Sequence, residues 1–397
     1  MLFRTMILAA GTFVVGTAEL FIAGILPLIA NDLQISNSMT GQLVTVYALV
    51  FAIGGPLITV LTGHISPYKL LLWSLSFFIA GNLVSIVFTD FGLILFSRML
   101  AAVGSAVYTA LAFNCAAGLA PAGKQGRSAS IIVAGWTLAS VAGAPLGTLV
   151  GVTFGWRASF IMVIILSSGV ALGIFAMFPR NIETLQAPRL KQQLLVLKRP
   201  EIVLTIIISG LFLGGQYIAY TYLATFLKEI TGLEVISVSF MLLVYGLSGM
   251  LGNLLGGYAT DRFGSTRTLL FGIGVNALAM LSLSVIGGSP LLIGLFIALW
   301  GLSSWSFTAA QQARLIGLAP TATKLTLSLN LSFFNVGIAA GTGLGGILIN
   351  TTGVVSLGLA GSLTIVVALL LTILSFMITR QKRAEKLTHQ KLAANLR

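Results

Sequence analysis

The chain places one carboxylate inside a long apolar run. Glu19 lies in TMILAAGTFVVGTAELFIAGILPLIA, residues 5–30, whereas Asp32, Asp90, Glu183, Glu201, Glu229, Glu234, Asp261 and Glu385 fall in polar stretches or at the ends of apolar ones. About 20 apolar residues are enough to cross the hydrocarbon core of a bilayer as a helix. An ionisable side chain inside such a span is costly and marks a functional site by default. Glu19 is therefore the acid placed to carry a proton across; the alternative is a structural carboxylate held in a fixed ion pair.

Arg98 is the expected partner in either case. At a rise of ~1.5 Å per residue, Glu19 lies ~16 Å from the outer end of its helix and Arg98 ~9 Å from that of the fourth, a difference of ~7 Å that a long side chain can bridge. The two are expected to communicate, directly or through water, with substrate or protonation breaking the pair. If Arg98 instead faced backbone carbonyls of a neighbouring helix, its role would be structural.

Polar and aromatic groups at mid-depth are the candidate substrate contacts. Gln216 and Tyr220 are four apart and share a face, as do Asn330 and Phe334. Trp300 and Trp305 stand inside an apolar run, away from the interface that Trp prefers, whereas Trp73 and Trp156 at run ends read as interfacial anchors. Tyr47, Tyr108, Asn114, Trp136 and Asn335 complete the set, and for each of these residues ordinary interhelical packing is the competing explanation. Aromatic faces beside neutral amides suit an uncharged or weakly basic planar molecule, such as a purine base, a nucleoside or a drug-like compound. A sugar also fits, and a multiply anionic substrate fits poorly, since Arg98 is the one buried cation expected. The lone Cys115 excludes an internal disulfide or a cysteine-rich metal site. His64 and His389 carry no assigned chemistry, and no GxxxxGK[ST] run is present. No catalytic residue, metal or cofactor is expected, and a proton gradient is the expected energy source.

Such residues need a membrane scaffold, and the composition supplies one. Of 397 residues 57% are hydrophobic and only 8% charged, with a mean hydropathy of +1.03, against about 25% charged in a soluble domain. Twelve apolar runs read as spans: residues 5–30, 40–62, 70–88, 93–117, 128–152, 157–178, 202–227, 236–259, 266–287, 289–312, 324–349 and 354–379. The first lacks a small-residue cleavage site and exceeds a signal peptide's apolar core, so it reads as retained. The net charge of +13 is a topology signal rather than a sign of nucleic acid binding. With the N-terminus inside, only Arg157 and Lys228 fall outside and Arg98 within a span, while every other Lys and Arg of the 22, Arg314 among them, lies inside. That asymmetry places both termini in the cytoplasm, with the basic tail after Arg380 against anionic lipid. A polar loop divides the chain into an N-terminal bundle (1–178), a cytoplasmic linker (179–201), a C-terminal bundle (202–379) and a basic tail (380–397). The halves echo each other: residues 63–69 follow the second span as Gly257–Phe263 follow the eighth, and Gly143–Gly147 in the fifth match Gly341–Gly345 in the eleventh.

GYATDRFGSTRTLL, from Gly257 through Asp261 and Arg262, resembles the loop motif of the major facilitator superfamily. The first-half copy departs from it, with Pro67 where the Asp belongs. SRMLAAVGSA around Arg98 is similar to that family's fourth-helix arginine motif. GWTLASVAGAPLGTLVG, with Gly143, Pro145 and Gly147, resembles the fifth-helix antiporter motif, although Ala144 and Thr148 replace common glycines. The phrases GTAELFIAGILPLIANDLQIS, APAGKQGRS, FGWRASF and SLNLSFFNVGIAAGTGLGG look like the branch of arabinose, purine-base and nucleoside exporters.

The resemblance implies an all-α polytopic membrane protein, with twelve transmembrane helices in two pseudo-symmetric six-helix bundles. It implies a monomeric secondary transporter in the bacterial cytoplasmic membrane that exchanges a small molecule for protons around a central site, with Gly143, Pro145, Gly147, Gly257, Asp261 and Arg262 as gating or structural residues. A sugar exporter and a uniporter or importer of the same fold are the alternatives. A membrane enzyme would need clustered His, Cys or acids at span ends, and the acids above form no such cluster.

Overall fold

The computed structural model describes residues 2–61, 65–121, 125–180, 198–232, 235–285 and 289–395. The expected linker lies largely outside them, as do Gly63, His64, Lys124, Glu183 and Glu234, and so do the side chains of the basic tail. Among the described residues twelve helices are long and apolar enough to span a membrane, an even number, so the first begins and the last ends on one face, the face of the termini. Span 1 comprises α1 (Leu2–Leu20) and α2 (Ile22–Leu33). Spans 2 to 4 are α3 (Asn37–Leu61), α4 (Pro67–Val87) and α5 (Phe91–Gly118). Span 5 joins α6 (Gln125–Leu138) to α7 (Ala144–Phe154), and span 6 is α8 (Trp156–Met177). In the second half, span 7 comprises α9 (Pro200–Tyr220) and α10 (Leu223–Thr231). Spans 8 to 12 are α11 (Val235–Phe263), α12 (Ser265–Val285), α13 (Pro290–Leu318), α14 (Thr323–Thr351) and α15 (Ser356–Asn395). Helix starts follow ordinary rules: Pro67, Pro200 and Pro290 stand in first turns, and Asp90 caps α5 by accepting from Leu93 N–H at 2.9 Å. Gly264, at φ +83°, makes the α11–α12 turn that a residue with a Cβ would strain.

Three apolar cores form among the described residues: one mainly from α1–α8, a second mainly from α9–α15, and a small third of Ile202, Ile206, Leu315, Ala319 and Leu325. The residues that join the other half's core are few. Ile338 and Ala339 of α14 pack into the first core, and Ala23 of α2 into the second. They mark where the bundles meet: α3 lies along α14, α7 lies on α11, and α2 meets α10. On the face opposite the termini, the Tyr222 hydroxyl fills the space that a Cβ on Gly41 or Gly346 would take.

Three spans are not continuous α-helix. Span 1 breaks at Phe21, just after Glu19 and ahead of Gly24 and Pro27; Pro27 offers no N–H to the turn before it, which weakens the helix there. Span 7 breaks at Thr221 and Tyr222, which are tied to span 11 by Thr221 Oγ1 at 2.8 Å from Thr342 Oγ1 and by Tyr222 Oη donating to the Thr342 carbonyl at 3.1 Å. Span 5 contains a π-helical turn, Ala139–Gly143, ahead of Pro145, whose ring would clash with the carbonyl four residues back in a regular helix.

Glycines let backbones touch. A Cβ on Gly341 would stand 2.0 Å from the Gly214 carbonyl oxygen, and one on Gly337 2.0 Å from that of Gly210, so spans 7 and 11 meet backbone to backbone. Neither carbonyl can swing away. Gly341→Ala should therefore lower the melting temperature of the purified protein by several degrees, whereas Gly343→Ala, with open space around its Cβ, should leave it unchanged.

At the face opposite the termini, Asp32 accepts from Trp156 Nε1 at 3.0 Å and Arg157 Nη1 at 2.8 Å, tying span 1 to span 6. Trp156 is only 4% exposed, so it is a packed hydrogen-bond donor rather than the interfacial anchor expected. These bonds, the Trp156 one first, lower the Asp32 pKa below its ordinary 3.8. A lowered pKa means that the tie stabilises the fold above pH ~4 and is lost as pH falls further. Asp32→Asn should lower the melting temperature at pH 7, and the gap to the unmodified protein should close as pH drops through 4.

Candidate functional site

Glu19 is the penultimate residue of α1, two residues before the break, with its Oε2 buried and unpartnered. Its surroundings come from both halves. Arg98, Tyr47, Tyr217 and Tyr220 all lie within electrostatic reach of its carboxylate. Span 5 holds this stretch of span 1 in place: Thr17 packs on Gly143 and Phe21 on Gly147, with no room for a Cβ on either glycine. Gly143 and Gly147 therefore seat the Glu19 turn.

Arg98 is 1% exposed and makes no direct ion pair with Glu19. Among the described residues the ion pair within 4.0 Å is that of Arg157 with Asp32. Arg98 donates from Nη2 to the Ala18 carbonyl at 3.3 Å and lies 4.4 Å from the centroid of the Tyr47 ring. The guanidinium thus binds a neighbouring helix's carbonyl and lies within electrostatic reach of the carboxylate without forming an ion pair with it. Tyr47 is held in turn by donation to Ser105 Oγ at 2.5 Å.

The C-terminal half contributes an aromatic wall. Tyr217, Tyr220, Tyr245 and Trp300 have ring centroids 5.1 to 6.2 Å from their neighbours. The Trp300 indole donates to Gln216 Oε1, which also receives Ser304 Oγ at 2.9 Å. Tyr217, Tyr245 and Ser304 were not singled out from sequence. Tyr217 carries a readable signal, since it adjoins Gln216 inside an apolar span.

Other expected contacts sit elsewhere. Tyr108 donates to the Leu8 carbonyl at 3.2 Å, well toward the terminus from Glu19. Trp136 packs over Gly16. Asn335 Nδ2 bonds Leu331 O at 3.1 Å, Phe334 packs against the second core, and Asn330 is buried with Oδ1 unpartnered. Asn114 is half-buried on α5. Among the described residues none of these hydrogen-bonds to Glu19, Arg98 or Gln216, although Phe334 packs against the core that holds Tyr220 and Trp300. The loop motif lies exposed: Asp261 and Arg262 end α11, Arg262 donates to Tyr258 Oη at 2.7 Å, and Gly257 has open space around it.

Arg314 corrects the sequence reading. It is not a loop cation: α13 continues to Leu318, and Arg314 is 5% exposed. Its Nη2 donates to Ser375 Oγ at 2.7 Å and its guanidinium stacks 3.8 Å from the Phe376 centroid. A second buried cation therefore exists.

The sequence pattern of the Major Facilitator Superfamily matches residues 8–324 and 250–396. The chain is 32% identical over 370 residues to the uncharacterized MFS-type transporter YbcL of Bacillus subtilis, covering 93% of this chain and 95% of that one. It is 28% identical to a probable sugar efflux transporter of Pasteurella multocida, over 94% and 91% of the two chains. A crystal structure of a bacterial homologue of the human lysosomal transporter Spinster, inward-facing and occupied, superposes with a TM-score of 0.76 over 95% of this chain and 96% of that one, at 16% identity, which speaks for the fold. With twelve spans in two six-helix halves and a match along nearly its whole length, the chain belongs to the Major Facilitator Superfamily, a family of membrane transporters and not of enzymes.

Proposed function

We propose that the protein is a proton-coupled exporter of a small, uncharged or weakly basic molecule, a purine base, nucleoside or drug-like compound, working by alternating access. The observation that carries this reading is Glu19: an unpaired carboxylate between the halves, beside Arg98 but not bonded to it. Such a group can take up a proton without first breaking a buried ion pair. Substrate would sit between Glu19 and the wall of Tyr217, Tyr220 and Trp300, within reach of Gln216. Each proton entering down about 100 mV releases about 2.3 kcal/mol, before any pH difference is added.

On this reading the chain works as a monomer in the bacterial cytoplasmic membrane, with both termini and the 179–201 linker inside, as the loop charges favour. The end closed by Tyr222, Gly41 and Gly346 is then the outer one. Export of a sugar is the second reading, favoured by the name of the Pasteurella relative.

Proteoliposomes loaded with labelled purine bases, nucleosides or L-arabinose test both the coupling and the cargo. An imposed pH gradient should drive movement of at least one of these, and indifference to the gradient would leave a uniporter. Glu19→Gln should cut gradient-driven movement to about a tenth or less while the protein still reconstitutes; full retained coupling in that variant sinks the assignment.

A further inference from the structure

The polar atoms of the central site that lack partners form a pattern. Trp indole N–H is a donor only, so the Gln216 atom facing Trp300 is the carbonyl oxygen, and the amide has one orientation. Asn276 backs this arrangement from span 9, its Nδ2 lying 3.1 Å from Ser304 Oγ and 2.8 Å from Ser303 Oγ. Gln216 Nε2 is consequently turned away from Trp300, and it is buried without an acceptor on a side chain 2% exposed. In the other half, Arg98 holds Nε and Nη1 without acceptors, and Glu19 holds Oε2 without a donor. Three unpartnered donor atoms, from both halves, thus face the one carboxylate of Glu19, while Asn276 Oδ1, also without a partner, lies behind Ser303 and Ser304. Buried donors left unmet are costly, so a ligand that fits must bring more acceptors than donors.

We infer that the site selects an uncharged planar heterocycle whose edge carries two acceptors flanking one N–H, as an imide does, with the acceptors meeting Arg98 and Gln216 and the N–H meeting Glu19. This inference rests on the Glu19 cluster being the transport site. A planar cation with donors only satisfies Glu19, but it leaves Gln216 and Arg98 unmet and brings like charge beside the guanidinium. The rings of Tyr217, Tyr220, Tyr245 and Trp300, tilted or edge-on to one another, give aromatic faces against which a planar heterocycle can pack. A sugar, with hydroxyls that both donate and accept, has no preference imposed on it by this pattern.

Calorimetric titration of the purified full chain tests the inference. The probes are thymidine, which has an acceptor–donor–acceptor edge, N3-methylthymidine, which lacks that N–H, the donor-only cation benzamidine, and L-arabinose. Thymidine should bind, with N3-methylthymidine and benzamidine each at least tenfold weaker. Gln216→Glu, which keeps an acceptor for Trp300 but removes the donors, should weaken thymidine at least tenfold. The probe series on the unmodified chain decides the matter even if that variant folds poorly. Equal affinity for the methylated probe, tighter binding of benzamidine, or no thymidine binding overturns the inference. If benzamidine or arabinose binds instead and Glu19→Gln abolishes that binding, the transport-site reading stands and this one alone fails.

Discussion

A carboxylate and a guanidinium brought into one low-dielectric interface would ordinarily close on each other, because each is costly alone. Here they do not. Arg98 donates to the Ala18 carbonyl, one residue before Glu19, and rests on the Tyr47 ring. The contact holds the guanidinium beside the acid without neutralising it. Removing one partner of a closed buried pair costs about 3–5 kcal/mol, and a proton arriving at such a pair would have to work against a similar figure. An unclosed pair lets the carboxyl change charge state with its neighbour already in place. Much of the first half serves this arrangement: Tyr47 is fixed by Ser105, and the Glu19 turn is seated by Gly143 and Gly147.

Each half is tied together through main chain: a Cβ on Gly104 of α5 would stand 2.4 Å from the Ser74 carbonyl oxygen, and one on Gly81 of α4 2.6 Å from the Ala101 nitrogen. Spans 7 and 11 meet through main chain at Gly210, Gly214, Gly337 and Gly341, contacts that cannot relax by changing a rotamer. Between the halves, Gly246 of α11 lies against the Ser140 carbonyl at the π-helical turn of span 5. That turn is where one N–H bonds five residues back rather than four, with Ala144 N–H reaching Ala139 O. A rigid body on each side and an irregular turn at the crossing are compatible with halves that rock as units. The interruptions of spans 1 and 7 lie where the other half approaches, at Phe21, which keeps helical dihedrals, and at Tyr222, which does not.

The span count and pairing of halves could be read from the chain because lipid imposes a length, and about 20 apolar residues meet it wherever they occur. The site was legible in part for the same reason: an acid or amide inside such a run is conspicuous, which singles out Glu19, Gln216 and Trp300. The break of span 7 was not, because Thr221 and Tyr222 are not helix breakers. It depends on Thr342, 121 residues away, and no local pattern reports such a partner. Tyr245 and Ser304 escape notice because neither tyrosine nor serine is unusual in a membrane helix; only the rings and amide they meet give them a role. Trp156 reads as an interfacial anchor from its position at a span end, yet its indole faces Asp32 in a distant part of the chain.

Arg314 marks a failure of hydropathy that bears on the cargo. Hydropathy ends an apolar run at a charge, which stops the tenth span at 312, two residues before a guanidinium that is in fact buried. Excluding multiply anionic substrates on the count of buried cations alone therefore no longer holds. Position decides instead. Arg314 is committed to Ser375 and Phe376 of span 12, near the end of α13 and more than three turns from Trp300 along the helix, at about 3.6 residues per turn. Gln311, one turn before it, is likewise committed to Thr205 and Ser209 of span 7. These groups tie spans 7, 10 and 12 together at the face that carries the termini. The central wall thus retains Arg98 as its cation, already shared with a carbonyl and a ring and set beside a carboxylate, an environment with little positive charge to spare for an anion.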